Sequence, residues 1–177
     1  MAMEMSDGAC SVNRGQQCWS VLDTSRAKPM PALGFPLLGA PMRILVCGRR
    51  TYDDRASVWR TLDDYQRRYG PVTIIQGGAT GADALAKEWC YRQPNVTLIS
   101  VPANWEDPSP PDALICIRAD GSKYDTNASV RRYAEMLDEK PDLVLAFPGN
   151  RGTRHILRRA EDAKKNGMPI KIKKVGW

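Results

Sequence analysis

From Met42 onward the apolar residues switch between two periods. Arg43-Ile44-Leu45-Val46-Cys47 is a short apolar run ending at Gly48, the pattern of a buried strand. Val58, Leu62, Tyr65 and Tyr69 then recur at helical spacing, and Gly70-Pro71 closes that helix. Val72-Thr73-Ile74-Ile75 predicts a second strand, followed by Gly77-Gly78. Ala84, Leu85, Trp89 and Cys90 mark a second helix, and Val96-Thr97-Leu98-Ile99-Ser100-Val101 a third strand. Val130, Tyr133, Ala134 and Leu137 predict a third helix. Leu143-Val144-Leu145-Ala146-Phe147 is a fourth strand running into Pro148-Gly149. Ile156, Leu157, Ala160 and Ala163 predict a fourth helix, closed by Asn166-Gly167. Ile170 and Ile172 alternate with lysines in a last, half-exposed edge strand.

Strands and helices in alternation, with strands that are nearly continuous in apolar residues, predict a parallel sheet covered on both faces. The fold class is α/β: one Rossmann-like three-layer domain over residues 42–177, with a mainly parallel sheet and helices on both faces. One stretch breaks the rhythm. Residues 107–123 hold Pro108, Pro110 and Pro111, an apolar run from Ala113 to Ile117, then Asp120-Gly121. They predict an inserted hairpin with Asp120-Gly121 at its turn. A lid, a dimer contact and simple decoration are all open to it. Residues 1–41 carry no sustained period, hold prolines at 29, 31, 36 and 41, and read as a flexible or extended arm. Glu4 and Asp7 precede any apolar core, which argues against a signal peptide.

Composition narrows the chemistry. The chain of 177 residues has one histidine, His155, so multi-histidine metal sites are excluded, and no metal or cofactor is expected. Its five cysteines form no C-x-x-C pair, which suits a reducing cytoplasm better than a disulfide framework or a zinc knuckle. No apolar run approaches the roughly 18 residues of a membrane span. The net charge of +6 is local. Residues 42–150 hold 14 basic and 15 acidic side chains, whereas residues 151–177 hold nine basic and two acidic. A nucleic-acid partner is therefore not implied by the total, and the basic segment lacks stacking aromatics apart from Trp177.

Candidate chemistry sits where strands end, because open parallel sheets bind ligands beyond the carboxyl ends of their strands. Glycine there admits a phosphate to the backbone, and the following helix N-terminus offers free N–H groups. The first loop is Gly48-Arg49-Arg50-Thr51-Tyr52. Arg50 can clamp a phosphate, and a plain surface turn is the competing reading. The second is Gln76-Gly77-Gly78-Ala79-Thr80-Gly81-Ala82-Asp83. It matches neither a P-loop nor the dinucleotide fingerprint. Asp83 either complements the helix N-terminus or bonds a ribose hydroxyl. The third is Phe147-Pro148-Gly149-Asn150-Arg151-Gly152-Thr153-Arg154-His155, where Gly149, Gly152 and Thr153 suit an anion and Arg151 and Arg154 add charge. His155 is a catalytic candidate set against the commoner solvated histidine.

These loops, with Pro102-Ala103-Asn104-Trp105, carry a resemblance to the YspA group of the SLOG superfamily, over residues 42–175 apart from the insertion. The resemblance implies a Rossmann-like fold, a homodimer or higher homo-oligomer, and binding of a nucleotide-derived small molecule. ADP-ribose-like and related signalling nucleotides are the implied ligands, and sensor, carrier and sequestering roles stay open. The third loop is also similar to the P-G-G-x-G-T-x-x-E element of the lonely-guy phosphoribohydrolases, at Pro148, Gly149, Gly152 and Thr153. Arg132 and Met136 match their R-x-x-x-M element. Two positions depart: Asn150 replaces a glycine, and Ile156 stands where the catalytic glutamate would be. In the first loop Arg49 replaces a glycine usual in the YspA group. Ile156 cannot stabilise an oxocarbenium-like state, so a binding protein is the first reading. An N-glycosidase using Asp83 or His155 is the alternative, and a single-stranded nucleic-acid binder, by similarity to the DNA-processing protein A family, ranks third. The expected ligand-binding residues are Gly48, Arg50, Gly77, Gly78, Gly81, Asp83, Arg132, Gly149, Arg151, Gly152 and Thr153.

Overall fold

The structure is a computed structural model and describes residues 40–177. The arm read at 1–41 lies, but for its last two residues, outside the described residues. Along the chain run β1 (Met42–Cys47), α1 (Arg55–Tyr69), β2 (Val72–Gln76), α2 (Ala82–Cys90) and β3 (Val96–Ser100). They are followed by β4 (Ile115–Ile117), β5 (Lys123–Asp125), α3 (Ala128–Asp138), β6 (Leu143–Ala146), α4 (Arg151–Lys165) and β7 (Lys171–Lys174). Five strands form one sheet in the order β3-β2-β1-β6-β7, and every pairing in it is parallel.

The alternation of side chains along β1 explains the three layers. Met42, Ile44 and Val46 face a core that holds Val58 and Leu62 of α1 and Ala82, Ala86 and Trp89 of α2. Leu45 and Cys47 face the opposite core, which holds Met136 and Leu137 of α3 and Ile156, Leu157 and Ala160 of α4. Because β1, β2 and β6 are packed on both sides, they read as nearly continuous apolar runs, with Thr73 and Gln76 buried among them in β2. Trp89 is fully buried, and its indole N–H donates to Asp63 at 2.7 Å. Its ring pins α2 to α1, and truncation to alanine would cost about 3–5 kcal/mol.

Phe147 and Val101, apolar enough to read as strand, lie one residue beyond β6 and β3. Both still extend the ladder: the Phe147 N–H donates to the Cys47 carbonyl at 2.8 Å and the Val101 N–H to that of Gln76 at 2.9 Å. β7 is an edge. Ile170 before it is buried, and Lys173 and Lys174 are exposed. Between β3 and α3 the chain makes an antiparallel pair, β4 with β5, whose second strand ends at Asp125. Asp125 is fully buried and accepts the N–H groups of Leu114 (2.7 Å) and Asn127 (2.9 Å). Arg131 bonds Asp125 and also Asp112 (2.8 Å), so the base of the ribbon is tied to α3.

The chain moves outward from β1 through β2 to β3, then returns to the other side of β1 for β6 and β7. The sheet therefore changes direction at β1. A crevice opens at such a switch point beyond the strand ends.

Candidate functional site

The loops after β1, β2 and β6 meet in that crevice. The Arg49 N–H donates to the Pro148 carbonyl at 3.1 Å, joining the first loop to the third. The Thr80 hydroxyl donates to the Arg50 carbonyl at 2.9 Å, joining the second to the first. Gly81 makes this closeness feasible. Its φ is +76°, and a Cβ there would lie 2.2 Å from the Arg49 carbonyl oxygen. Any side chain would be both strained and blocked.

Asp83 organises the second loop from the first turn of α2. Its Oδ2 accepts the N–H groups of Gly77 (3.0 Å) and Ala79 (3.3 Å), and the carboxylate is buried. Burial raises its pKa to about 6, against the opposing pull of the Ala79 N–H, Arg132, the Gly77 N–H and Arg50. Arg132 reaches the same loop from α3, and its Nη1 donates to the Gly77 carbonyl at 2.7 Å. In the third loop Asn150 caps α4 by accepting the Gly152 N–H at 3.1 Å. Gly149 packs on Thr153 so closely that a Cβ would lie 2.1 Å from Oγ1.

A pocket of about 300 Å³ opens between these loops and α3. Six residues expected from the sequence line it: Gly48, Arg50, Asp83, Arg132, Gly152 and Thr153. Gly77, Gly78, Gly81 and Gly149 do not line it; they shape the loops beneath. Ile156, at the position of the related hydrolases' glutamate, is buried and lines the wall. Arg151 and His155 lie elsewhere. They line a separate cleft with Arg154 and Arg158, and the His155 ring packs on Tyr133 with centroids 5.6 Å apart.

Trp105, Ser129, Tyr133 and Asn150 also line the pocket and were not among the expected binding residues. Trp105 is held near Arg50, whose guanidinium carbon lies 5.9 Å from the ring. Cys47 lines the floor. Burial first, and then the Asp83 charge, push its thiol far above the ordinary range, so it stays a neutral SH.

Among the described residues two buried side-chain polar atoms have no partner: Nε of Arg132 and Oγ1 of Thr153. Arg132 is 8% exposed and Thr153 3%, so water satisfies neither freely. Both residues line the same pocket. Among the described residues no group of three His, Cys, Asp or Glu side chains could hold a metal ion. No helix among them is long and apolar enough to cross a membrane.

The chain is 37% identical over 136 residues to the Gene 61 protein of Mycobacterium phage D29. That alignment covers 72% of this chain and 93% of the phage protein. No solved structure matches. The model of the YspA, cpYpsA-related SLOG family matches residues 42–107, which carry β1, the first two loops and Trp105. With these loops in place and the phage relative matched over nearly its whole length, the chain belongs to the YspA, cpYpsA-related SLOG family.

Proposed function

We propose that this protein binds a nucleotide-derived small molecule in the pocket between the three loops, as a sensor, carrier or sequestering protein. The observation that carries the reading is the pair of unpartnered buried atoms, Arg132 Nε and Thr153 Oγ1, on two residues that line the same pocket. Native interiors leave few such atoms, because each forfeits a hydrogen bond it would make in water. A phosphate seated at the start of α4 supplies acceptors for both. The Gly152 and Thr153 end of the helix adds its dipole, and Arg50 and Arg132 add charge. Trp105 and Tyr133 offer flat apolar faces suited to a base or a ribose. An ADP-ribose-like or related signalling nucleotide presents both features.

Hydrolysis is the second reading, and one observation favours it. A carboxyl with a pKa near 6, as at Asp83, suits general acid–base work near neutrality. Binding ranks first because Asp83 is already engaged by two backbone N–H groups and Ile156 stands at the matching glutamate position.

Calorimetry and thermal-shift measurements with ADP-ribose, cyclic ADP-ribose isomers, AMP and cyclic oligonucleotides test the proposal. At least one should raise the melting temperature, and mass spectrometry should recover it intact after incubation. No shift from any of them at millimolar concentration overturns the reading. Release of free base or ribose phosphate moves it to the hydrolase alternative.

A further inference from the structure

The two edges of the β4-β5 ribbon differ. The Arg118 N–H donates to the Ser122 carbonyl at 2.8 Å and the Thr126 N–H to the Leu114 carbonyl at 2.9 Å. Hydrogen-bonded pairs alternate along an antiparallel ladder, so Cys116 faces Tyr124 in the same way. Ile115 and Ile117 therefore turn their N–H and C=O groups outward. On β5 the outward N–H of Asp125 is taken by the Trp105 carbonyl at 2.7 Å. On β4 the outward groups of Ile115 and Ile117 meet no backbone partner among the described residues. Such an edge is open to pairing with another strand.

The side chains of that edge are apolar as well as exposed. Leu114, Ile115 and Ile117 are 62%, 41% and 69% exposed. The other large apolar side chains exposed among the described residues, Tyr91 and Trp177, are far from them in sequence. Edge strands are ordinarily guarded by charge, as β7 is by Lys173 and Lys174. Residues 113–117 carry neither charge nor proline. The segment Asp112-Ala113-Leu114-Ile115-Cys116-Ile117-Arg118 is acidic at one end, basic at the other and apolar between. Laid antiparallel on a copy of itself, it sets apolar residues on apolar residues and brings the acidic end of each strand toward the basic end of the other.

We propose that β4 pairs with β4 of a second copy of this chain, antiparallel about a two-fold axis at Cys116. The two ribbons then form one sheet in the order β5-β4-β4-β5. Ile115 exchanges both of its backbone bonds with the partner's Ile117, and Ile117 with the partner's Ile115, so the outward groups are all satisfied. The two Cys116 residues oppose each other at a non-hydrogen-bonded position, where Cα atoms stand about 4.5 Å apart. Arg118 lies diagonal to the partner's Asp112, within reach of a long side chain. A second copy is the favoured occupant because this one segment supplies the apolar seam and both charged ends, as a self-complementary two-fold contact requires. None of residues 112–118 lines the nucleotide pocket, so the inference does not rest on the function proposed for that pocket.

Sedimentation velocity on the full chain under reducing conditions tests the seam. The range is about 10 μM to about 1 mM, since so short an interface belongs to the weak, reversible class. Wild type should pass from monomer to dimer as concentration rises. Ile117→Lys, a change at an exposed position, should stay monomeric throughout with an unchanged melting temperature. Tyr91→Lys, the same change at another exposed apolar residue, should dimerise as wild type does. The register is read in a Cys10→Ser/Cys18→Ser variant, where Cys116 is the exposed cysteine left beside the buried Cys47 and Cys90. Diamide accepts the two thiol hydrogens as a disulfide forms, and mass spectrometry of the digest should find Cys116 joined to Cys116. Ile117→Lys in that background should lose most of this product. A dimer that persists in Ile117→Lys, or one that yields no Cys116–Cys116 disulfide, overturns the seam. A wild type that stays monomeric over the whole range leaves the edge to an unrelated strand and overturns the second copy as its occupant.

Discussion

Arg132 of α3 donates from Nη1 to the Gly77 carbonyl at 2.7 Å, across 55 residues of sequence. The contact fixes the second glycine loop against the third helix. A Cβ on residue 77 would lie 2.9 Å from the Arg132 guanidinium carbon. Gly77→Ala should therefore push the guanidinium aside with a small loss of stability, because the end of a long side chain can move. Arg132→Ala should be worse. It leaves the Gly77 carbonyl without its partner and empties a buried volume, at a cost of about 2–3 kcal/mol. Urea melts of the two variants should separate them in that order, while both lose ligand affinity. Equal stability losses would show that the contact does not organise the loop.

Asp83 predicts a specific pH dependence. Its carboxyl titrates at about 6 in the folded protein and at the ordinary 3.8 when unfolded, with burial the largest cause. Between those values the folded state holds a proton that the unfolded state has released. Stability should thus fall as pH rises from 4 to 6 and stay level above, by about 3 kcal/mol from this group. Asp83→Asn keeps an oxygen to accept the Gly77 and Ala79 N–H groups but cannot ionise. Chemical melts across this range should show the wild type losing stability relative to the variant as pH rises. Parallel curves would count against a buried, ionising Asp83.

The sheet was readable because its inner strands are covered on both faces. Residues 44–47 and 143–146 have no solvent side, so their apolar runs carry no competing period. The pocket was only half readable. Gly48 follows the end of β1 directly, and Gly152 and Thr153 open the helix that follows β6, where chain order already places a ligand. Tyr133 falls on the same helical period as Val130 and Leu137, so it reads as core although it lines the pocket. Trp105 lies in a segment without any period, and only folding brings it beside Arg50. His155 misled in the opposite sense. It is near the third loop in sequence, yet a helix turns about 100° per residue and carries it to another face from Thr153 and Ile156.

Thr153 separates binding from stability. Its hydroxyl is buried and unpartnered, so replacing it with a methyl removes an unmet hydrogen-bonding group at constant shape. Thr153→Val should leave the folding stability unchanged or raise it, by no more than about 1 kcal/mol. The same change should weaken nucleotide binding about tenfold if a phosphate oxygen is the missing partner. A variant that melts lower and binds as well as wild type would mean that the hydroxyl serves the fold and not the ligand.

His155 offers a direct reporter, because it is the one histidine in the chain. Partial burial lowers its pKa first, and the charges of Arg159, Arg158 and Arg151 lower it further. Tyr133 of α3 is the neighbour from the other packed element, through a ring contact. The imidazole is therefore neutral near pH 7, and its folded pKa lies below the unfolded value of 6.5. Its protonation is disfavoured by folding, so this group removes stability as pH falls through that range. A phosphate anion beside the imidazole would offset the arginine charges and raise the pKa from its lowered position. The single imidazole C–H signal in a proton NMR titration should move to a higher pKa when pyrophosphate is added, with proton uptake on binding. Arg154→Gln/Arg158→Gln should raise the starting pKa, by removing the Arg158 charge, and abolish the further rise. A histidine pKa indifferent to pyrophosphate in the wild type would mean that no anion settles beside it.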